Sequence, residues 1–157
     1  MKTVKTKKQI KKEQQQEARY IFRTFGTLQA EEMIKFAKDK NTALHQAFEW
    51  DNTKAGHKHR LWQARQLIVT FTIEIEGEND PVQEYVSLTT DRKKKGGGYR
   101  KIVKVLKVKS QLEQLLEDAL NDIEVFERKY KQFKGLAIHI KNIKKILQTK
   151  KSKRIAS

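Results

Sequence analysis

Residues 69–76, VTFTIEIE, decide the fold class. Before them apolar residues recur at helical spacing. From Val69 the period drops to two, with Val69, Phe71, Ile73 and Ile75 alternating against Thr70, Thr72, Glu74 and Glu76. Such alternation sets one face of a strand on a core and the other in water. A chain that is helical before this stretch, extended within it and helical again beyond it is an α+β protein.

Working downstream, GENDP at 77–81 has the composition of a turn, and EYVSLTT at 84–90 predicts a second strand. YRKIV at 99–103 predicts a third, which makes a small antiparallel sheet of about three strands. Between the last two lies DRKKKGGGYRK, residues 91–101, in which six basic residues surround three glycines. This predicts a basic hairpin, strands 85–90 and 99–103, projecting as a phosphate-binding arm. Its glycines would permit positive φ and close backbone approach. The competing reading is a loop whose lysines stay solvated and discourage edge-to-edge pairing. KVLKVK at 104–109 suits either an extension of the strand or the start of a helix.

Ser110 with Glu113 matches a capping box. From there Leu112, Leu116, Ala119, Ile123, Phe126, Tyr130 and Phe133 hold a helical stripe, and Leu136, Ile140, Ile143 and Leu147 resume one after Gly135. Two antiparallel helices joined near Gly135 are favoured over one kinked helix that dimerises as a coiled coil.

Upstream, the spacing predicts helices over about 12–25, 28–39 and 54–68, with a short one after Thr42. Gly26 ends the first, and Thr27 and Thr42 are read as caps for the next two. Leu28, Met33, Ile34, Ala37, Leu44, Phe48, Leu61, Ala64, Leu67 and Ile68 point inward. The predicted organisation is a basic tail at 1–12, a single domain at 13–149 and a second tail at 150–157. The domain divides into a helical part at 13–68, a sheet at 69–103 and C-terminal helices at 110–149.

Thirty-five Lys and Arg against 19 Asp and Glu give a net charge of +16. A field of that sign favours nucleic acid or another acidic partner. The charge is segregated: residues 92–109 and 134–157 contain no acidic side chain, whereas Glu74–Asp91 and Glu113–Glu127 contain no basic one. The absence of cysteine excludes disulfides and thiolate metal sites. No apolar run approaches a membrane span, and no apolar segment follows the basic N-terminus, so neither an anchor nor a secretory signal is expected. A cytoplasmic protein is the expectation.

LHQAFEWDNTKAGHKHRLWQARQLI, residues 44–68, is the most individual segment. Through Leu44, His45, Phe48, Glu49, Trp50, Asp51, Lys54, Ala55, Arg60, Gln63, Ala64, Arg65, Leu67 and Ile68 it resembles small phage and prophage proteins of Gram-positive bacteria. The likeness extends over about 28–133. It implies a phage or prophage origin and a bacterial host cytoplasm, and it carries no established mechanism. Gly56 and His57–Lys58–His59 depart from the acidic residues of the pattern.

Arg60, Gln63 and Arg65 follow a short helix and turn, an order that suits a recognition helix in a DNA groove. Alternatively, Arg60 pairs with Glu49 or Asp51 and ties two helices together. Asp51 or Thr53 is read as the cap of the 54–68 helix. His45, His57 and His59 are close in sequence without metal-ligand spacing, and no nucleophile motif or phosphate-loop pattern is present. No enzyme activity, metal or cofactor is expected. The expected function is a nucleic-acid-binding accessory or regulatory protein, for DNA ahead of RNA, acting as a monomer or homodimer. Its site residues are Arg92, Lys93, Lys94, Lys95, Arg100, Lys101, Arg60, Gln63 and Arg65. The alternative is a module that binds a host or phage replication or transcription protein, through Trp50, Trp62 and the acidic segments.

Overall fold

The computed structural model describes residues 5–50 and 54–155. The chain divides into two compact units, Met1–Ile102 and Val103–Ser157, where the sequence predicts one domain.

The first unit begins with α1, Lys7–Phe25, which starts inside the segment read as a tail. The reason is local: Thr6 and Gln9 form a reciprocal capping box, with Gln9 N–H donating to Thr6 Oγ1 at 3.3 Å and Thr6 N–H donating to Gln9 Oε1 at 2.8 Å. Gly26, at φ 72°, ends the helix as expected, its N–H donating to Phe22 O. Helix α2 (Ala30–Ala37) follows, then a 3₁₀ turn at Leu44–Ala47 and α3 (Lys54–Ile68). Thr27 does not cap α2, whose N-cap position is Gln29; the Thr27 hydroxyl donates instead to Tyr99 O at 3.2 Å. Thr42 is not the N-cap of the 3₁₀ turn either, a position held by Ala43, but its hydroxyl accepts from His45 N–H at 3.2 Å. The start signal at 51–53 lies outside the described residues.

Ala18, Ile21, Leu28, Met33, Ile34, Ala37, Leu44, Phe48, Ala64 and Ile68 form one buried cluster with Phe71 and Tyr85. Alternation holds from Phe71, which is buried, to Glu76, which is exposed. Val69 departs from it: it lies in the turn that closes α3 and is exposed. Hydrogen-bonded pairing is short. Strand β1 (Thr72–Ile73) pairs antiparallel with β2 (Val82–Gln83), and β3 (Tyr85–Val86) with β4 (Arg100–Lys101). Two two-stranded ladders therefore replace a single three-stranded sheet.

Glu84 lies between the ladders and joins them. Its N–H donates to Phe71 O at 2.8 Å and its carbonyl accepts from Ile102 N–H at 2.9 Å. Its side chain is 1 % exposed. Arg19 Nε reaches Oε1 at 2.9 Å and Oε2 at 3.3 Å, Gln15 Nε2 donates to Oε2 at 2.6 Å, and Lys101 Nζ lies 3.8 Å from Oε1. A buried carboxylate is tolerated only when its lone pairs are taken up in this way. Gln15 Nε2 also donates to Thr72 O at 2.7 Å. From neighbouring positions of α1, Gln14 Nε2 donates to Ala43 O at 3.1 Å, and the Glu17 carboxylate accepts the N–H groups of Ala43 and Leu44 at 2.8 Å each. Helix α1 thus holds the 3₁₀ turn and both ladders by polar side chains.

After β4 comes the turn α5 (Ile102–Val105). The second unit is a helical pair, α6 (Lys109–Lys129) packed on α7 (Leu136–Ile155), joined near Gly135 as expected. Residues 104–109 extend no strand. Ser110 falls inside α6, whose N-cap position is Val108, so the capping box is not used. The segment read as a C-terminal tail continues α7 to Ile155. Leu112, Leu116 and Ile140 are buried, whereas Phe126 and Phe133 at the far end of the stripe are exposed. The acidic and basic blocks of this unit face each other through Lys144–Glu127 at 2.6 Å and Lys151–Glu117.

Glu84→Ala removes the group that Arg19, Gln15 and Lys101 share, and urea unfolding is expected to register a loss of about 3 kcal/mol. Tyr85, packed against Phe22 and Phe71, has a buried hydroxyl that makes no hydrogen bond of ordinary geometry among the described residues, and burial with the nearby Glu84 carboxylate holds its phenol well above the ordinary 10.0. Tyr85→Phe is therefore expected to leave stability unchanged or raise it by up to about 1 kcal/mol in the same assay.

Candidate functional site

The basic glycine segment does not project as an arm. Thr89–Arg92 forms a helical turn, α4, and the rest of the connection folds back onto the segment between α1 and α2. Tyr99 and Leu28 exchange backbone hydrogen bonds at 3.0 and 3.2 Å. Gly98 approaches Thr27 so closely that a Cβ there would lie 2.7 Å from Thr27 Oγ1. That hydroxyl is committed to Tyr99 O, so the position needs glycine. Gly96 and Gly97 turn the chain at φ 84° and 66°, values that side chains rarely adopt.

The segment is pinned by Asp91 and Arg100. Arg100 Nε and Nη2 donate to the two Asp91 oxygens at 2.7 Å each, a bidentate pair. Asp91 Oδ2 also accepts from Leu88 N–H at 3.4 Å. Burial acts to raise the Asp91 pKa. The hydrogen bonds and charge of Arg100, with Leu88 N–H and Lys94, outweigh it, so the carboxyl sits below its ordinary 3.8.

Folded this way, the segment lines a cleft of about 380 Å³. Arg65 enters from α3, Arg92 from α4, Lys94 from the bend after it, and Gly96–Gly98 with Tyr99 supply a backbone wall beside Ala30 at the start of α2. Burial holds the Tyr99 phenol above its ordinary 10.0, while the nearby charges of Arg65 and Arg92 act the other way. Three cations thus converge on one concavity, from two segments far apart in sequence. The nearby carboxylates of α2 are engaged elsewhere: Glu31 lies 3.2 Å from His57, and Glu32 accepts from Lys35 at 2.7 Å.

The expected site residues separate into three groups. Arg65 and Lys94 are exposed at the cleft and form no ion pair among the described residues, although the Lys94 charge acts on Asp91. Arg92 lines it too, with Nη1 on Ser87 O and Nη2 on Thr89 Oγ1 at 2.6 Å. Lys93 and Lys95 are exposed beside it. The other four are spent on structure. Arg100 belongs to the Asp91 pair, and Lys101 lies by Glu84 and over the Phe22 ring at 5.4 Å. Arg60 is buried, donates from Nη1 to Glu49 O at 3.1 Å and lies 5.5 Å from the centre of Trp50. Gln63 Oε1 accepts from Glu49 N–H at 3.2 Å. Arg60 and Gln63 thus tie α3 to residues 49–50, and the recognition-helix reading loses two of its three side chains. The expected Arg60 partner Asp51, like Thr53, lies outside the described residues.

The three histidines diverge. His45 Nδ1 bonds Ala37 O at 2.7 Å and its ring stacks on Trp50; His57 meets Glu31; His59 stacks on Trp62. Among the described residues no group of three His, Asp or Glu is placed to hold a metal, and no helix is long and apolar enough to cross a membrane.

Asp91→Asn is expected to cost about 2 kcal/mol at pH 7. Because folding depresses the Asp91 pKa, its contribution is present above pH 3.8 and fades as pH falls below that. Urea midpoints of wild type and variant should therefore converge in acid, as a pH series of unfolding curves will test. Comparison of the chain with family models, curated proteins and solved structures gave no match.

Proposed function

We propose that this chain is a nucleic-acid-binding accessory or regulatory protein of phage or prophage origin, acting in the host cytoplasm on DNA ahead of RNA. It holds phosphate in the cleft of Arg65, Arg92 and Lys94 and adds sequence-independent attraction through its basic surface. The observation that carries this reading is the convergence of three cations on a glycine-walled concavity. Guanidinium and ammonium groups beside glycine backbone are the chemistry that phosphate contacts use. The net charge of +16 supplies the long-range field. No sequence selectivity follows, because Arg60 and Gln63, the side chains best suited to base edges, are occupied.

Fluorescence anisotropy against duplex DNA, single-stranded DNA and RNA tests the proposal. If roughly 6–10 phosphates are neutralised, affinity should fall on the order of 10³–10⁵ between 50 and 200 mM salt. Arg65→Ala with Lys94→Ala should weaken binding and reduce the salt slope by about 0.9 per lost contact on duplex. No binding at micromolar protein in low salt would contradict the proposal.

A second reading, a module for a replication or transcription protein, rests on Trp62, which is 55 % exposed on α3. Trp50 does not share that role, since its ring packs against the core and its Nε1 donates to His45 O at 3.1 Å. A Trp62→Ala variant that keeps full nucleic-acid affinity separates this surface from the cleft.

A further inference from the structure

Building on the nucleic-acid reading, we infer that the cleft is selective for a terminal phosphomonoester, the phosphorylated end of a single strand or the phosphate of a free mononucleotide, over a phosphodiester within a chain. Size is the first ground. At about 380 Å³ the cleft lies near the small end of the ~300–1,000 Å³ typical of small-molecule sites, room for about one nucleotide. An internal phosphodiester carries chain on both sides and must leave such a concavity twice. A strand end leaves it once.

Charge is the second ground. A diester brings one negative charge, whereas a monoester carries about −1.5 to −2 at pH 7 and offers three strong acceptor oxygens. Arg65 and Lys94 enter from separate segments, and Arg92, which bonds Ser87 O and Thr89 Oγ1, lines the same cleft and adds its charge. Cations that approach from different segments can be satisfied together by a group with three outward oxygens, which a diester lacks. The glycine wall is the third ground. At Gly97 nothing lies within 4 Å of where a Cβ would stand, so a compact anion can approach the main chain there directly.

The test uses the full-length chain and one single-stranded DNA sequence, labelled on an internal base. The strand is prepared with a 5′-phosphate, with a 3′-phosphate, or with hydroxyls at both ends. Binding is read by anisotropy at fixed salt, with AMP and adenosine as competitors. At least one end-phosphorylated strand should bind about tenfold or more tightly than the hydroxyl-ended strand. In the Arg65→Ala, Lys94→Ala variant, whose fold is checked by thermal melting, that preference should shrink to less than about twofold, even as all strands bind less well. Displacement by AMP and not by adenosine, at concentrations below those at which the unlabelled phosphorylated strand competes, assigns the site to free nucleotides. Displacement only by phosphorylated strands assigns it to polymer ends. Equal affinity for phosphorylated and hydroxyl-ended strands would overturn the inference and leave general nucleic-acid binding standing. Failure of every strand to bind would remove the functional reading itself.

Discussion

The buried carboxylate of Glu84 is the interaction on which the first unit depends. Its backbone joins the two short ladders, and its side chain is held by Arg19 and Gln15 of α1 and approached by Lys101 of β4. Ladders of two residues carry too few hydrogen bonds to hold themselves in water. Their geometry must come from outside, and α1 supplies it. An unpaired carboxylate at this depth would be prohibitive, so any rearrangement that separates α1 from the ladders costs both the partners and the desolvation. Breaking a link of this type is more damaging than its net worth suggests, because the groups left behind remain buried.

From that anchor the cleft follows in steps. Fixing β4 beside β3 sets Arg100 opposite Val86, where its guanidinium meets Asp91 and closes the α4 turn. Tyr99, the next residue back, bonds Leu28 and so brings the glycines against the entry to α2. Helix α3 packs on α2, which delivers Arg65 to the same place. The cations nearest the sheet, Arg100 and Lys101, are consumed in building the wall. Those farther out, Arg65 and Lys94, face the concavity. The division is one of contacts: the cations spent on structure are held by a carboxylate or a backbone carbonyl, whereas Arg65 and Lys94 form no ion pair among the described residues.

Much of the fold was legible because it rests on local rules. Gly26 stops α1, the period changes near Phe71, and the stripe from Leu112 marks α6. What escaped has partners far along the chain. Gln14, Gln15, Glu17 and Arg19 read as helix formers, yet their side chains bind residues 43, 44, 72 and 84. Glu84 looked like one more polar residue at the head of a strand. The basic segment was legible as a composition and not as a shape: its docking depends on Thr27 and Leu28, some 70 residues earlier, by a bridge that no periodicity marks. The pairing of Arg65 with Lys94 at one cleft was hidden for the same reason, and Arg60 and Gln63, five and two positions from Arg65, were indistinguishable from it until their contacts with Glu49 were seen.

Under the proposed function, phosphate is held where α3 and the glycine segment meet, and not merely by the basic helix α7. Two-dimensional amide NMR of the full chain, titrated with a phosphorylated single-stranded oligonucleotide, tests this most directly. The account predicts that the amides of Gly96, Gly97, Gly98 and Tyr99 and the side-chain signals of Arg65 move first and saturate together. Shifts confined to residues 136–155, with the glycine amides unmoved at saturation, would contradict it.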